Sequence, residues 1–391
     1  MRTENINVIG VDLGYDSVKM LFRDKKLVFP SLAEREDEGI LSDSSFEVVT
    51  TPDDVIFKFN PKKMIIKIQD KLIKGYTDRE FTTYRVGDYV LNQRSSSVAY
   101  SLSDKKYKDP EEFAKLLSGI ALLCPKADKI KIKHLITGLP IKYYENNKLD
   151  FKDRLENTFK IQIKNINNQF VEKEVEVMKA TVIPQGLASY YDFVMNDKGE
   201  VTTNDQGGFG IVDLGGLTID CVAFNNGELI KDSPISFSDG VKTRIFKKIQ
   251  DSLDIDISQD IIKKQILDKK DYIKVRNEKY EFTKIKETAI DKLAYDIALQ
   301  IENRWDSYLM IDRILVTGGA SILLFESLDT HLEDFPCERV NKNPQFSNCR
   351  GYVKLGKALD RKRQSELKEK AKSRKGTLRA VKQAASTTES E

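Results

Sequence analysis

The chain has 391 residues, 40% of them hydrophobic and 32% charged, and a formal net charge of +3. This length allows two core-bearing domains, and no apolar stretch approaches the roughly 20 residues of a bilayer span, which argues against a membrane role. The N-terminal residues lack the pattern of a signal peptide, so we expect a cytoplasmic protein. The four cysteines have no C-x-x-C spacing and only two histidines accompany them, which argues against a zinc site.

The first predicted element is a β-hairpin. Apolar runs at 6–11 and 18–22 flank the turn D-L-G-Y-D-S, which begins at Asp12. Gly14 removes a Cβ, so backbone N–H groups and the Ser17 hydroxyl can close on phosphate oxygens. Asp12 would repel bare phosphate, but it fits a site in which a hydrated Mg²⁺ lies between carboxylate and nucleotide.

The segment 32–105 mixes polar stretches with short strand-like runs at 57–59, 64–68 and 84–90, which suggests a small, irregular insertion. Asp109 and Pro110 signal the start of a helix over 111–123. A strand is predicted at 131–139 and a second helix at 148–159.

A second hairpin follows with the same turn. Apolar runs at 209–212 and 219–224 flank Asp213, and Asp, Gly and Ser/Thr recur at the offsets of the first turn. Between the hairpins, a strand ending at Pro184 passes through Gln185 and Gly186 into a predicted helix. Two similar hairpins imply two similar half-domains that can face each other across a cleft.

Helical spacing predicts further helices at 241–253 and 285–305. An apolar strand beginning at 312 then runs into Gly318 and Gly319, where the backbone can lie flat against a base or ribose. Strands interleaved with helices in this way indicate an α/β fold with buried sheets. The segment 345–359 is predicted to be an amphipathic helix that packs on the first domain.

The chain ends in a basic segment. From Arg361 onward there are ten Lys or Arg residues against four Glu. One interpretation is a solvated helix extension that frays into disorder. The other is a basic arm for nucleic acid, an acidic partner or the neighbouring subunit of a polymer.

These pieces, in this order, resemble the nucleotide-binding core of the actin-like ATPases, and within that group the plasmid-segregation actins of the ParM (StbA) family. The resemblance rests on D-L-G-Y-D-S-V-K at 12–19, F-P-S at 29–31, Y-R-V-G-D at 84–88, T-G-L-P at 137–140, P-Q-G at 184–186, D-L-G-G-L-T-I-D at 213–220, V-T-G-G at 316–319, Q-F-S-N at 345–348 and R-G-Y at 350–352. It covers nearly the whole chain except the basic tail.

The resemblance implies a two-domain, duplicated ribonuclease H-like ATPase fold with a central nucleotide cleft. Domain I would comprise 1–188 and 342–362, with the insertion at about 32–105. Domain II would comprise 189–341, with a helical insertion at about 241–305. Residues 363–391 would form a basic, disordered tail.

The resemblance also implies roles for particular residues. The β- and γ-phosphates of ATP or GTP would be clasped by Gly14, Tyr15, Ser17, Gly215, Gly216 and Thr218. Lys19 would neutralise phosphate charge, Asp12 and Asp213 would hold Mg²⁺ through water, and Gly318 and Gly319 would flank the adenosine. Asp16 and Asp220 rank below these two carboxylates as candidates.

Hydrolysis needs a group that orients a water molecule in line with the γ-phosphate. Gln185 is the candidate. Many actin-like proteins instead carry a Glu or Gln just before the proline, where this chain has Ile183, so Gln185 stays open between a catalytic role and capping a helix.

The function that this resemblance favours is a filament-forming ATPase that segregates plasmid DNA. Its partners would be further copies of itself, in a helical filament, and a small DNA-binding adaptor on a centromere-like site, with no sequence-specific DNA contact of its own. A small-molecule kinase and another bacterial cytoskeletal actin remain as alternatives. A chaperone-type ATPase is disfavoured, because the chain has no substrate-binding domain beyond the ATPase fold.

Overall fold

The computed structural model describes residues 2–36, 59, 62–69, 81–93, 106–202, 207–305, 310–340 and 343–387. Within these ranges, residues 91–93, 106 and 368–387 are described by their backbone only. No helix in the described ranges combines the length and the apolar character that crossing a bilayer requires.

The first sheet is built around the first hairpin. Strand β1 (Thr3–Leu13) pairs antiparallel with β2 (Ser17–Phe22), which pairs antiparallel with β3 (Lys25–Pro30). On its other side β1 pairs parallel with β7 (Lys129–Leu139), and the end of β7 pairs parallel with β10 (Ala180–Pro184). The strand order at the centre is therefore β3-β2-β1-β7-β10.

Outer strands extend this sheet beyond β7. They are β4 (Ala33–Arg35), β5 (Met64–Gln69), β6 (Phe81–Val86), β8 (Thr158–Lys164) and β9 (Phe170–Val177), in the order β9-β8-β5-β6-β4. The described strands of the segment 32–105 thus join the first sheet. Apart from Phe59, the strand expected at 57–59 lies outside the described residues.

The prediction of a helix at 148–159 is wrong in its bounds. The helix runs over Ile141–Leu155 and directly follows Pro140, whose missing N–H costs nothing at a helix start. Phe159 instead lies in β8, where Phe159, Ile161 and Ile163 are buried in alternation with more exposed polar residues. That two-residue period is the pattern of a strand.

The second sheet repeats the plan of the first. Strand β11 (Gly208–Leu214) pairs antiparallel with β12 (Ile219–Asn225) and parallel with β17 (Ile311–Thr317), which pairs parallel with β18 (Cys337–Arg339). Two short strands, β13 (Glu228–Leu229) and β14 (Ile235–Phe237), pair antiparallel with opposite ends of β12. The same sequence of antiparallel and parallel neighbours confirms the predicted two-domain, duplicated actin-like fold. A separate hairpin joins β15 (Tyr272–Val275) to β16 (Glu278–Glu281).

Helices cover the two sheets. They are α1 (Asp88–Gln93), α2 (Pro110–Leu123), α3 (Ile141–Leu155), α4 (Leu187–Val194), α5 (Lys247–Ser252), α6 (Gln259–Leu267), α7 (Thr283–Trp305), α8 (Ser321–His331) and α9 (Ser347–Thr387), with a π-helical turn at Lys242–Phe246 before α5 and a 3₁₀ turn at Pro344–Phe346 before α9. The largest core lies between the first sheet and α2, and a second lies between the other sheet, α7 and α8. All four cysteines are free.

Helix α9 returns from the second sheet to the first, as predicted. It packs on β1 and α4 through a cluster that includes Cys349 and Tyr352. A Cβ on Gly351 would lie 1.7 Å from the carbonyl oxygen of Ala188, so only glycine permits this approach. The helix continues to Thr387, whereas the sequence predicts disorder from residue 363. Lys, Arg, Glu and Ala are good helix formers, which accounts for the difference.

Candidate functional site

The turns of the two main hairpins face each other across one cavity of about 380 Å³. They lie so close that a Cβ on Gly216 would be 2.8 Å from Cγ of Asp16. Every site residue predicted from the sequence lines this cavity: Asp12, Gly14, Tyr15, Ser17, Lys19, Gln185, Asp213, Gly215, Gly216, Thr218, Gly318 and Gly319. The fold thus brings together residues from both halves of the chain.

The first hairpin supplies a buried ion pair. Asp12 and Lys19 are cross-strand neighbours in β1 and β2, and Lys19 Nζ lies 3.1 Å from Asp12 Oδ2. Burial alone would lower the pKa of Lys19, but the carboxylates of Asp12 and Asp213 outweigh it and raise that pKa. Lys19 therefore presents a fixed positive charge at the floor of the cavity.

The second hairpin has the same tight turn. The Gly215 N–H donates to the Thr218 carbonyl at 3.0 Å, and a Cβ on Gly215 would lie 2.4 Å from that oxygen. Gly318 adopts φ +85°, and a Cβ there would be 2.5 Å from Oδ1 of Asp213. Glycine is therefore required by the packing of both segments, and both also line the cavity. A backbone without side chains at such a position is suited to cradle a phosphate.

The carboxylates of the second hairpin are electrostatically different from those of the first. Burial, together with the nearby charge of Asp12, raises the pKa of Asp213, while Asn348 donates to Asp213 Oδ2 at 3.0 Å and partly offsets this effect. Asp220 is the cross-strand neighbour of Asp213 and accepts a hydrogen bond from Ser236. Burial raises the pKa of Asp220 to about 6.

Gln185 lies between the cavity and a smaller pocket of about 30 Å³ beneath Tyr15. Its side chain donates to Asp12 Oδ1 at 3.5 Å. The N-cap of α4 is Gly186, at φ +89°, and no side-chain hydrogen bond caps that helix. The amide of Gln185 thus points to the carboxylate of Asp12 rather than to the helix start.

An ion-pair cluster joins the two hairpin regions at the cavity. The Asp16 carboxylate lies 2.6 Å from Lys242 Nζ and 3.2 Å from Lys263 Nζ. Burial would raise the pKa of Asp16, but the two lysines outweigh it and lower that pKa. Asp16 belongs to the first half of the chain and both lysines to the second, so this cluster bridges the halves directly.

The far end of the cavity is apolar. It is lined by Phe246, Ile266, Leu267, Ile322 and Leu323 from the π-turn, α6 and α8. Leu267 and Ile322 are 60% and 61% exposed. Exposed apolar surface opposite a polar, glycine-lined floor is the arrangement that accepts a planar base at one end and phosphates at the other.

The residues present fit a hydrated Mg²⁺ rather than a fully protein-bound metal. Within the described ranges, no group of three or more His, Cys, Asp or Glu side chains is placed to hold an ion. Asp12 and Asp213 face the same cavity, and the cost of burying both charges would be relieved by a cation between them. Mg²⁺ keeps several waters and is commonly held by one or two carboxylates together with phosphates.

The sequence did not indicate the roles of Lys242, Lys263 and Asn348. The two lysines contact Asp16 over more than 220 residues of chain, and no local pattern marks such a pair. Asn348 lies within a motif that carried the family resemblance, but its contact with Asp213 spans 135 residues.

Comparisons with known proteins agree with this geometry. A model of the N-terminal domain of actin-like proteins matches residues 10–187, and a model of the C-terminal domain of the MreB-like archaeal actin homologue matches residues 211–330. No curated protein sequence matches at a significant level.

Several solved structures share the fold. The crystal structure of actin-like protein Alp7A superposes with a TM-score of 0.74 at 17% identity, covering 94% of this chain and 100% of that one. A 15-stranded ParM filament from Clostridium botulinum gives a TM-score of 0.66 at 23% identity, covering 91% of this chain and 100% of that one. ParM of Bacillus thuringiensis with ATP gives a TM-score of 0.64 at 16% identity, covering 92% of this chain and 100% of that one.

Proposed function

The chain belongs to the actin-like superfamily, and from that premise we propose that it binds and hydrolyses ATP or GTP and assembles into filaments in a nucleotide-dependent manner. The observation that carries the proposal is the cavity between two glycine turns, with Asp12 and Lys19 on one side and Asp213 on the other. We extend the proposal to the segregation of plasmid DNA through a small DNA-binding adaptor.

The chain's own groups divide the task of binding the nucleotide. The turns at Gly14 and Gly215 would offer backbone N–H groups to the β- and γ-phosphates, with the hydroxyls of Ser17 and Thr218 beside them. Lys19 would compensate phosphate charge from a fixed position. Asp12 and Asp213 would hold hydrated Mg²⁺, which when bound neutralises charge on the phosphates.

Gln185 would orient the attacking water. A glutamine can hold a water molecule by hydrogen bonds without being a strong base. The amide of Gln185 is anchored on Asp12 and lines the same cavity as both glycine turns, which supports this role. The neutral amide also adds no negative charge beside the two carboxylates.

Assembly would follow from the position of the nucleotide between the halves. Because the cavity wall comes from both sheets, a triphosphate contacts both and favours one relative orientation of them. The filament of the C. botulinum relative supports self-association as the outcome. The adaptor and the plasmid cargo rest on the resemblance to the plasmid-segregation actins.

The test combines sedimentation with phosphate release. Purified protein is centrifuged with ATP, GTP, ADP or no nucleotide, and phosphate is measured in the same samples without any added acceptor. We expect more pelleted protein with a triphosphate than without, and phosphate release that needs no acceptor. Equal pelleting in all samples would contradict the filament proposal, and the absence of phosphate release without an acceptor would favour a kinase.

A matched pair of variants locates the activity. Thr218→Val removes a hydroxyl from the second glycine turn, whereas Thr158→Val removes one from the exposed start of β8. We expect the first to weaken triphosphate-dependent assembly and the second to leave it unchanged. Equal behaviour of the two variants would place the nucleotide elsewhere.

A further inference from the structure

A chain of buried hydrogen bonds leads away from the Asp213 carboxylate. Asn348 Nδ2 donates to Asp213 Oδ2 at 3.0 Å, and Asn348 Oδ1 accepts from Ser189 Oγ at 2.8 Å. Ser189 Oγ lies 3.2 Å from Thr317 Oγ1. Asn348 lines the cavity but is only 8% exposed, and Ser189 is fully buried, so the bonds lead from the cavity wall into the interior.

The direction of the bonds is fixed by chemistry. An ionised carboxylate only accepts, so the NH₂ group of Asn348 must face Asp213 and its carbonyl must face Ser189. The hydroxyl of Ser189 has one proton, which its shorter contact gives to Asn348. Ser189 then has only a lone pair left for the Thr317 hydroxyl, which also lies within 3.5 Å of the Pro344 carbonyl oxygen. The orientation of the Asn348 amide is thus fixed by its two partners, Asp213 and Ser189.

The bonds join parts of the molecule that are distant in sequence. Asp213 and Thr317 end neighbouring strands of the second sheet, and Ser189 lies in the first turn of α4, just after Gln185. Asn348 lies in the first turn of α9. The next residue, Cys349, donates from its thiol to the backbone carbonyl of Lys19 at 3.3 Å. One helical turn therefore contacts both halves of the site.

We propose that Asn348 is a positioning residue that holds Asp213 in the orientation needed for Mg²⁺-nucleotide and couples it, through Ser189, to the helix that follows Gln185. This inference rests on the proposed nucleotide-binding function. Because Asn348 holds one oxygen of the Asp213 carboxylate, that side chain would keep one orientation toward the cavity, where it would help to hold hydrated Mg²⁺. Removing such an outer partner of a metal ligand commonly costs about 10- to 100-fold in metal affinity or activity.

The experiment measures nucleotide affinity with and without metal. A fluorescent ATP analogue is titrated into the full chain in EDTA, and then at a fixed concentration while Mg²⁺ is raised. For Asn348→Leu we expect the half-saturating Mg²⁺ concentration to rise about 10-fold or more, with the affinity in EDTA within about two-fold of the parent. When hydrolysis is measured over a range of nucleotide concentrations at standard Mg²⁺, kcat should fall by a larger factor than the KM for nucleotide rises.

Two further variants separate positioning from stability. Ser189→Ala keeps the Asn348 amide but removes the hydroxyl that fixes its orientation. We expect the half-saturating Mg²⁺ concentration of this variant to rise by about three-fold. Asn165→Leu removes a similarly buried amide in the turn between β8 and β9, where Asn165 Oδ1 accepts from two backbone N–H groups. That control should lower the melting temperature without changing the Mg²⁺ requirement.

The outcomes are distinct. If both Asn348→Leu and Ser189→Ala need the same Mg²⁺ concentration as the parent, within two-fold, the positioning role is overturned. If Asn348→Leu does not fold, the Ser189→Ala titration decides alone. If the parent protein itself binds no nucleotide in EDTA or in Mg²⁺, the proposed function fails first and the inference falls with it.

Discussion

The two main hairpins share a backbone but differ in charge. Both have an Asp at the end of the first strand and a tight glycine turn. Opposite that Asp, the first hairpin carries Lys19 and the second carries Asp220. The first pair is an ion pair at 3.1 Å, whereas the second places two carboxylates in one buried region.

The difference shows that duplication of the fold did not produce a symmetric site. The first hairpin contains the positive charge of Lys19, which can attract phosphates before any cation is bound. The second hairpin, with Asp213 and Asp220, depends on an added cation or on the hydrogen bonds of Asn348 and Ser236. Each half therefore contributes a different part of the charge balance.

The largest expected effect separates the two aspartates. Both Asp12→Asn and Asp213→Asn should reduce nucleotide hydrolysis by about 10²- to 10³-fold, because each removes a carboxylate from the metal site. Only Asp12→Asn also leaves buried Lys19 without its closest partner, which should lower the free energy of unfolding by about 1–3 kcal/mol. Asp213→Asn should be as stable as the parent or more stable, because burial disfavours the ionised form.

Phosphate release and urea unfolding on the same preparations test this comparison. Equal loss of stability in the two variants would show that Lys19 does not distinguish the hairpins.

Gln185→Ala should slow hydrolysis by about 10²-fold, since it removes the group that orients water. Nucleotide affinity and assembly should stay near those of the parent, so polymers should last longer. Turbidity decay alongside phosphate release measures this. Gln345→Ala, which removes another amide that lines the cavity, beside Gly319, tests whether the loss of any cavity amide has the same effect. Loss of nucleotide binding in Gln185→Ala would make the residue structural.

The charge of Asp220 should appear in the pH dependence of stability. Its folded pKa is about 6 against an ordinary value of 3.8, so the folded state binds more protons between these values and stability falls as pH rises through that window. In EDTA, the free energy of unfolding of Asp220→Asn should exceed that of the parent by about 3 kcal/mol at pH 7.5 and should equal it near pH 3.5. Denaturant unfolding at both pH values is the measurement. An equal effect at the two would contradict a buried, ionised Asp220.

The smallest effect is expected far from both hairpins. Truncation after Arg363 should leave the melting temperature and hydrolysis unchanged but alter bundling or its salt dependence, because the tail acts through screened charge. Truncation after Leu359 also removes Asp360, which lies 3.3 Å from His134 Nδ1, and should lower the melting temperature by about 2–4 °C. Thermal melts and light scattering over a salt series test both. Unchanged bundling would make the tail a solvated appendage.

The sequence predicted the features that depend on neighbouring residues. The hairpins, the strand leading into Gly318 and the helix after Asp109 all have local signals, such as alternation, turn glycines or a proline at a helix start. All the predicted site residues meet in one cavity because they belong to these elements. Two copies of one turn were enough to predict that the halves face each other.

The features that could not be predicted from the sequence depend on contacts between residues that are far apart along the chain. The start of strand β8 was missed because Phe151, Leu155 and Phe159 are four residues apart, so the helical spacing of α3 continues past its end at Leu155 into the strand. The partners of Asp16 lie in the other half of the chain, and those of Asn348 belong to two other elements, β11 and α4. Side chains that come into contact only in the folded protein have no regular spacing along the sequence by which their contact could be predicted.

The path of the chain has a consequence for the order in which the protein is made. The first sheet is synthesised first, but its β1 and β7 carry glycines that fit against α9: a Cβ on Gly10 would lie 2.4 Å from the Cys349 carbonyl oxygen, and one on Gly138 would lie 2.1 Å from the Tyr352 hydroxyl. Until α9 leaves the ribosome, that face of the sheet lacks the helix that packs against these glycines. The first half to emerge is therefore the last to be completed, and the entire second half must be translated before the site can close.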